Sequence, residues 1–168
     1  MVLWLIGLSG SGKTTIAEEI LKKLKNRINF IHVDGDEFRK IFSKDLGFSL
    51  KDRKLNAERI SKFVSFLSIN KLNVLVSVLS NYPKWLEWNR KNIINYNEFY
   101  IKTDSNILFA RNKKNLYLSR KKNVVGKDIK FIEPKNPDFT FYNNFKKNSI
   151  KKISNKIISF IPKKKFKN

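Results

Sequence analysis

The sequence predicts an α/β fold in three layers, a parallel five-stranded sheet with helices on both faces. Apolar runs alternate with longer segments of helical periodicity, which is the order typical of parallel sheets. Two of these runs, Val2–Ile6 and Val74–Leu79, are apolar throughout, as strands buried on both faces are. A glycine-rich loop follows the first run and opens a helical segment.

The remaining elements follow in the same alternation. The other predicted strands are Phe30–Val33, Phe99–Ile101 and Phe139–Tyr142. The predicted helices are Lys13–Lys25, Asp36–Ser43, Asp52–Asn70, Pro83–Ile94, Asp104–Ala110 and a last one from Ile150 to Ile161. The basic stretch 113–137 has the composition of a mobile lid, and residues 162–168 form a basic tail. No linker divides the chain, so residues 1–168 are expected to form one domain.

The composition argues against several classes of protein. The net charge is +22, but the lysines are spread through the chain rather than gathered in a stripe, so we do not expect nucleic-acid binding. A positive field also suits small polyanionic substrates. Cysteine is absent, and no apolar run approaches the roughly 20 residues of a membrane span. These features predict a soluble cytoplasmic protein that does not bind membranes.

The loop carries the strongest functional signal. Gly7, Gly12, Lys13 and Thr14 match the spacing G-x-x-x-x-G-K-[ST] of a phosphate-binding loop, or P-loop. Its backbone N–H groups and the start of the helix surround phosphate oxygens, Lys13 reaches the β- and γ-phosphates, and the Thr14 hydroxyl binds Mg²⁺. The ATP-binding residues predicted here are Gly7, Ser9, Gly10, Ser11, Gly12, Lys13, Thr14 and Thr15. ATP with Mg²⁺ and the fold of the P-loop NTPases follow from this motif.

Two carboxylates stand at the end of the second predicted strand. Asp34 and Asp36 lie at the carboxyl edge of the sheet, where ligands bind in open α/β folds, and they suit magnesium and an attacking hydroxyl. The alternative is a turn with an aspartate that caps the following helix. Arg39 is one helical turn beyond Asp36 and can face the same cleft.

Other conspicuous residues have simpler explanations. His32 lies inside a strand and is expected to be a packed histidine rather than a base or metal ligand. Trp85 and Trp88 are expected to serve packing rather than base stacking.

Several motifs in order resemble the adenylyl-sulfate kinase family. They are Gly7–Thr15, Asp34-Gly-Asp-x-x-Arg39, Asp45–Ser49, Asp52-Arg-Lys-x-Asn56, Arg59, Ser80, Arg111, Lys114-x-Leu-Tyr117, Gly126 with Asp128, and Pro134-x-Asn-Pro137. The resemblance therefore covers residues 2 to about 140. An ordered set of this kind is far more specific than the P-loop alone.

The resemblance implies a reaction and roles for named residues. The family transfers the γ-phosphate of ATP to the ribose 3′-hydroxyl of adenylyl sulfate. Lys13, Asp34, Asp36 and Ser80 are the implied catalytic residues, although direct transfer makes Ser80 an acceptor contact rather than a phosphorylated intermediate. Thr14 and Asp34 bind the metal, and the division of roles between Asp34 and Asp36 is open. The implied acceptor-binding residues are Asp36, Arg39, Phe48, Arg53, Asn56, Ser80, Lys114 and Val124.

The remaining implied features are a donor contact and an assembly. Arg111 lies against the adenine of ATP, and Phe48 stacks on the acceptor base. By analogy with the family, the chain is expected to form a homodimer.

Departures from the family pattern cluster on the acceptor side. Val124-Val125-Gly126 replaces a Phe-Thr-Gly stretch whose aromatic closes the adenine clamp, and the lid before Gly126 is shorter. Ser80–Pro83 lacks the arginine of the family's Ser-Pro-Tyr/His-Arg. One branch of the family instead phosphorylates cytidine diphosphoramidate for capsule synthesis. Val124 is compatible with that smaller base, so both acceptors stand as alternatives.

Two other classes fit less well. A regulatory GTPase needs Asn-Lys-x-Asp, but Asn70-Lys71-Leu72-Asn73 lacks the aspartate. A nucleic-acid-binding P-loop ATPase has only the net charge in its favour.

Overall fold

The computed structural model describes residues 1–79, 82–111, 117 and 122–162. Within them, one sheet has the strand order β2-β3-β1-β4-β5, and every neighbouring pair is parallel. The strands are β1 (Val2–Ile6), β2 (Ile31–Asp34), β3 (Val74–Val78), β4 (Tyr96–Lys102) and β5 (Phe139–Tyr142). The helices are α1 (Lys13–Leu24), α2 (Gly35–Phe42), α3 (Leu50–Ile69), α4 (Pro83–Asn92), α5 (Ser105–Arg111) and α6 (Ser149–Ile158). The predicted α/β fold class is confirmed.

The three layers follow from the alternation of side chains along the central strand. On one face of β1, Leu3 packs with Ile16 of α1 and Ile157 of α6. On the other face, Trp4 packs with Ile60 of α3 in a second apolar core that also includes residues of α2 and α4. Since β1 is buried on both faces, it is apolar at every position.

The fourth predicted strand, Phe99–Ile101, is too short. β4 begins at Tyr96 because its polar residues find partners inside the protein. Glu98 is 1% exposed, and its carboxylate accepts from Arg90 at 2.7 Å and from the Tyr96 hydroxyl at 3.1 Å. Burial raises the pKa of Glu98, and Arg90 opposes that rise. A buried carboxylate is tolerated only with such partners, and a strand pattern cannot reveal them.

The strand order determines where a ligand can bind. From β1 the chain first builds β2 and β3 on one side of the sheet and then β4 and β5 on the other. The carboxyl end of β1 is therefore a switch point, where the loops of neighbouring strands leave a crevice. The glycine-rich loop begins at this point. Among the helices of the described residues, none is long and apolar enough to span a membrane.

Candidate active site

The glycine-rich loop connects β1 to α1 in a shape that requires glycine at two positions. A Cβ on Gly7 would lie 2.4 Å from the carbonyl oxygen of Ile101 in β4. Gly12 has a φ of +97°, and a Cβ there would lie 2.7 Å from the side-chain nitrogen of Asn143. The loop therefore lies tightly against two other segments, and its backbone turns into the first turn of α1.

Three hydrogen bonds hold the loop from outside and from within. The Asn143 side chain donates to the Ser11 carbonyl, and the Tyr117 hydroxyl donates to the Ser9 carbonyl, both at 2.8 Å. The Lys13 ammonium, which is almost buried, donates to the Leu8 carbonyl at 2.8 Å. These three hydrogen bonds fix the shape of the loop. The Ser11 hydroxyl is fully buried, and none of the described residues forms a hydrogen bond with it, which suits a loop built around another polar group.

Asp34 joins the loop to the second strand. Its Oδ2 accepts from the hydroxyls of Thr14 and Ser77, each at 2.9 Å. Its Oδ1 accepts from the backbone N–H groups of Asp36 at 2.9 Å and Glu37 at 3.3 Å and so caps α2. Burial alone would raise the pKa of Asp34, but the four hydrogen bonds together lower it. Of the two alternatives posed from the sequence, the helix cap is observed, and it leaves Asp34 in contact with Thr14 of the P-loop.

His32 is a packed strand residue, as expected, but it has a polar partner. Its Nε2 lies 3.0 Å from the Ser77 hydroxyl, which in turn donates to Asp34. Burial lowers the pKa of His32, while the Asp34 and Glu37 carboxylates oppose that shift. Ser77 thus links the histidine to Asp34, the predicted metal ligand.

Arg39, Phe48 and Arg53 form an assembly that we call the arginine stack. The two guanidinium carbons lie 5.1 Å and 5.4 Å from the centre of the Phe48 ring, which is 57% exposed. Arg39 also donates to the Gly47 carbonyl at 2.6 Å. The Arg53 guanidinium donates to the carbonyls of Phe48 at 3.0 Å and Asn123 at 2.8 Å. Three predicted acceptor-binding residues therefore lie together at the start of α3.

The Asp36 carboxylate interacts electrostatically with both arginines of this stack. Burial lowers the pKa of both Arg39 and Arg53, and the Asp36 carboxylate opposes the shift at each of them. The Tyr82 hydroxyl also opposes the lowering of both arginine pKa values. Burial raises the pKa of Tyr82 itself, and the charges of Arg53 and Arg39 oppose that rise. Both arginines keep their charge at neutral pH. The stack is a positive, partly apolar surface with a carboxylate at one side.

Among the predicted acceptor residues that the structure describes, Asn56 and Val124 are buried. Asn56 is 6% exposed, and its side-chain oxygen has no hydrogen-bond partner within the described part of the chain. Val124 packs with Leu8, Leu108 and Tyr117 in a small apolar cluster. Its backbone N–H donates to Asp128 at 2.9 Å. The valine therefore packs its segment against Leu8 of the P-loop and offers little open surface for stacking.

Arg111 ends α5 and lies over a second aromatic ring. Its guanidinium carbon is 3.7 Å from the centre of the Phe145 ring. Phe145 lies three residues beyond the end of β5 and approaches the Gly12 position of the loop. Cation and ring together make a flat surface on the α1 side of the P-loop.

Two predicted site residues, Ser80 and Lys114, lie outside the described residues. Trp85 and Trp88 make an edge-to-face pair with centroids 5.6 Å apart, and Lys84 lies over the Trp85 ring. In the described part of the chain, no group of three or more His, Cys, Asp or Glu side chains could hold a metal ion. The two predicted metal ligands, Thr14 and Asp34, are joined by a hydrogen bond.

Sequence reasoning missed four residues of this site: His32 as a partner of the site, Ser77, Asn143 and Phe145. The feature of the sequence that could have identified them is their position relative to the ends of the predicted strands. Ser77 is near the end of β3, Asn143 comes directly after β5, and Phe145 lies three residues beyond the end of that strand. Since parallel strands end at one edge, residues in these positions meet the loop after β1.

Comparison with known proteins agrees with this geometry. The model of the adenylylsulphate kinase family matches residues 1–142. A cytidine diphosphoramidate kinase of Campylobacter jejuni subsp. jejuni serotype O:2 is 37% identical over 160 residues, covering 90% of this chain and 91% of that protein. An adenylyl-sulfate kinase of Buchnera aphidicola subsp. Acyrthosiphon pisum is 39% identical over 176 residues, covering 96% and 84%.

Solved structures lead to the same family. The Mycobacterium tuberculosis APS kinase CysC in complex with AMPPNP and APS superposes with a TM-score of 0.84 at 30% identity, covering 94% of this chain and 95% of that one. Shikimate kinase from Aquifex aeolicus shares the fold alone, with a TM-score of 0.57 at 20% identity and 95% of each chain covered. The chain belongs to the adenylylsulphate kinase family and is an ATP-dependent phosphotransferase.

Proposed function

We propose that the chain transfers the γ-phosphate of ATP to the ribose 3′-hydroxyl of an activated nucleotide. The turn from Asp34 to Asp36 carries this proposal, because it joins the P-loop to the arginine stack. Asp34 accepts a hydrogen bond from Thr14 of the loop at 2.9 Å. The Asp36 carboxylate stabilises the charged forms of Arg39 and Arg53. The donor side and the acceptor side are then only two residues apart in the chain.

The donor side fits ATP with Mg²⁺. The close approach of Gly7 and Gly12 to neighbouring segments, the buried Ser11 hydroxyl and the nearly buried Lys13 together suit a triphosphate. Thr14 and Asp34 would hold magnesium, which neutralises charge on the β- and γ-phosphate oxygens when bound. The flat surface of Arg111 and Phe145 would receive the adenine.

The two aspartates are proposed to have different roles. Both oxygens of Asp34 are taken by four donors, which fill the lone-pair sites of a carboxylate. Asp34 would therefore hold the metal by way of Thr14 rather than as a direct ligand, and it would not move a proton. Asp36 is exposed and lies on the side of the arginines. Asp36 would therefore accept the proton of the 3′-hydroxyl, while the arginine stack holds the anionic tail of the acceptor.

Adenylyl sulfate is the proposed acceptor. The exposed face of Phe48 suits base stacking, and the two guanidiniums suit a compact tail with two anionic groups. The product is then the 3′-phosphorylated nucleotide, with ADP released.

A second candidate acceptor is cytidine diphosphoramidate. Val124 favours it, because the position of the second clamp aromatic holds a small side chain that is buried against Leu8 and Leu108. A pyrimidine needs less stacking surface than adenine. The relative from Campylobacter jejuni, a cytidine diphosphoramidate kinase similar over 90% of this chain, adds support.

One assay decides between the acceptors. Purified protein is given ATP, Mg²⁺ and either adenylyl sulfate or cytidine diphosphoramidate, ADP release is followed, and the product is located by phosphorus NMR. We expect turnover with one acceptor and phosphate on the 3′-oxygen. Turnover with neither acceptor, but with another small hydroxyl compound, would overturn the acceptor assignment and leave the kinase assignment standing.

The division between the aspartates has its own test. Asp36→Asn should lower kcat by about 10²–10⁴-fold, because a general base is lost, and leave Mg²⁺-dependent ADP binding unchanged. Asp34→Asn should weaken that binding. The reverse pattern would exchange the two roles.

Two further expectations come from outside this site: the assembly follows from the family and the location from the composition. We propose that the chain acts as a homodimer in the cytoplasm. Light scattering during size-exclusion chromatography measures the assembly, and a monomer of 19.8 kDa would contradict it.

A further inference from the structure

A chain of hydrogen bonds runs from the edge of the sheet to the P-loop. His32 of β2 lies 3.0 Å from the hydroxyl of Ser77 in β3, and that hydroxyl lies 2.9 Å from Asp34 Oδ2. The same oxygen accepts from the Thr14 hydroxyl at 2.9 Å. Ser77 is 3% exposed, and the strand register places it directly opposite Asp34. Four side chains from three elements are thus connected in one line.

Counting hydrogens fixes the direction of this chain. A serine hydroxyl carries one hydrogen, and an ionised carboxylate only accepts. Ser77 gives its hydrogen to Asp34, so it can only accept from the histidine. His32 must therefore carry its hydrogen on Nε2 and donate, an assignment made from the network. The donating Nε2–H keeps the Ser77 hydroxyl turned toward Asp34.

The orientation of Asp34 matters because Thr14 shares its oxygen. With the Thr14 hydrogen directed at Asp34 Oδ2, the lone pairs of that hydroxyl are turned away from Asp34 and are available to a metal. Without a donor from His32, the buried Ser77 hydroxyl could turn elsewhere, and Asp34 Oδ2 would keep only one partner.

We propose that His32 is a positioning residue for the metal site: through Ser77 it holds Asp34 against Thr14 and so orients the Thr14 hydroxyl. This inference rests on the proposed function in one respect, the role of Thr14 and Asp34 in holding Mg²⁺. It goes further in giving a role to a strand histidine that touches neither substrate. Residues that orient metal ligands in this way commonly change metal affinity strongly when they are replaced.

The test measures Mg²⁺ dependence by calorimetric ADP binding, which needs no acceptor, and by the free Mg²⁺ that gives half-maximal turnover. His32→Leu and Ser77→Ala should each raise both Mg²⁺ requirements about tenfold, with the acceptor KM changed less than twofold. His32→Gln should restore most of the loss, because its amide can donate to Ser77. Ser65→Ala is the matched control, since Ser65 is another buried serine, with a hydrogen bond to the Asn92 carbonyl, in α3 away from the loop.

The possible outcomes separate the two claims. If the wild-type protein shows no Mg²⁺-dependent ADP binding, the proposed function and this inference both fail. If the wild type binds but His32→Leu and Ser77→Ala need no more Mg²⁺, only the inference fails. It also fails if either variant merely lowers the unfolding temperature, as Ser65→Ala could. Ser77→Ala keeps the test open if His32→Leu does not fold.

Discussion

The P-loop and the arginine stack lie on opposite sides of the Asp34–Asp36 turn and are built in different ways. The loop is held by Asn143, Tyr117 and Lys13 through bonds to three of its carbonyls. The stack has an exposed ring at its centre, and its bonds run to the loop around Phe48 and to Asn123 of the lid segment.

This difference indicates how the two sites work. A loop whose shape is set by the rest of the protein needs little reorganisation when phosphate binds, which favours fast transfer. The stack instead joins an exposed ring to two arginines, each of which also bonds to protein carbonyls. An acceptor would compete for those guanidinium hydrogens, so acceptor binding should be coupled to the lid segment at Asn123.

The largest expected effect concerns the P-loop side. Lys13→Ala should reduce kcat at least about 10²–10³-fold with any acceptor, because the charge aimed at the transferred phosphate is lost. Steady-state ADP release measures it. Lys22→Ala, an exposed lysine of the same helix, is the control and should leave kcat unchanged. Retained activity in Lys13→Ala would contradict the P-loop assignment.

The next effect concerns the arginine stack. Phe48→Ala should raise the acceptor KM about 5- to 150-fold, the equivalent of roughly 1–3 kcal/mol of base stacking, and leave the KM for ATP unchanged. Phe66 is similarly exposed, at 62%, near the other end of α3. Phe66→Ala should therefore change neither KM. If Phe48→Ala raised the acceptor KM and the KM for ATP equally, the arginine stack and the P-loop would not bind their substrates independently.

A third prediction tests how firmly the loop is held. Asn143 is 1% exposed, donates to Ser11 and accepts from Phe145 N–H. Asn143→Ala should lower the free energy of unfolding by about 1–3 kcal/mol, because buried partners lose their bonds, and raise the KM for ATP. Urea unfolding measures the first effect. The exposed neighbour Asn144 is the control, and a loss of the same size in Asn144→Ala would refute the role of Asn143.

The smallest effect depends on pH. Burial raises the pKa of Tyr117 to about 12, above the value of roughly 10 for an unfolded tyrosine. The native state therefore keeps the Tyr117 hydroxyl proton to a higher pH than the unfolded state does. The stabilisation is complete below pH 10 and is lost as the pH rises from 10 to 12.

Tyr117→Phe has no such proton and provides the measurement. The difference in unfolding temperature between wild type and Tyr117→Phe should be constant from pH 7 to about pH 9.5 and then fall toward pH 12. A difference that stays constant to pH 12 would show that Tyr117 titrates normally.

Part of the site could be predicted from the sequence because it lies in continuous motifs. Gly7–Thr15 and the Asp34–Asp36 turn each follow an apolar strand, so their place at one edge of the sheet follows from the alternation of elements. The contact between Thr14 and Asp34 confirms that they meet. Val124, by contrast, stays a predicted acceptor residue, and its burial against Leu8 and Tyr117 could not be read from its motif.

The sequence alone determined the α/β layers and the position of the P-loop, because strand and helix periodicity and glycine spacing are local properties. Only the tertiary structure decided that Ser77 and His32 support Asp34, that Asn143 holds the loop and that Arg53 reaches Asn123. These contacts join residues separated by 43 to 132 positions. Their hydrogen bonds depend on strand order and register, which bring distant segments together, and a local pattern carries no record of that order.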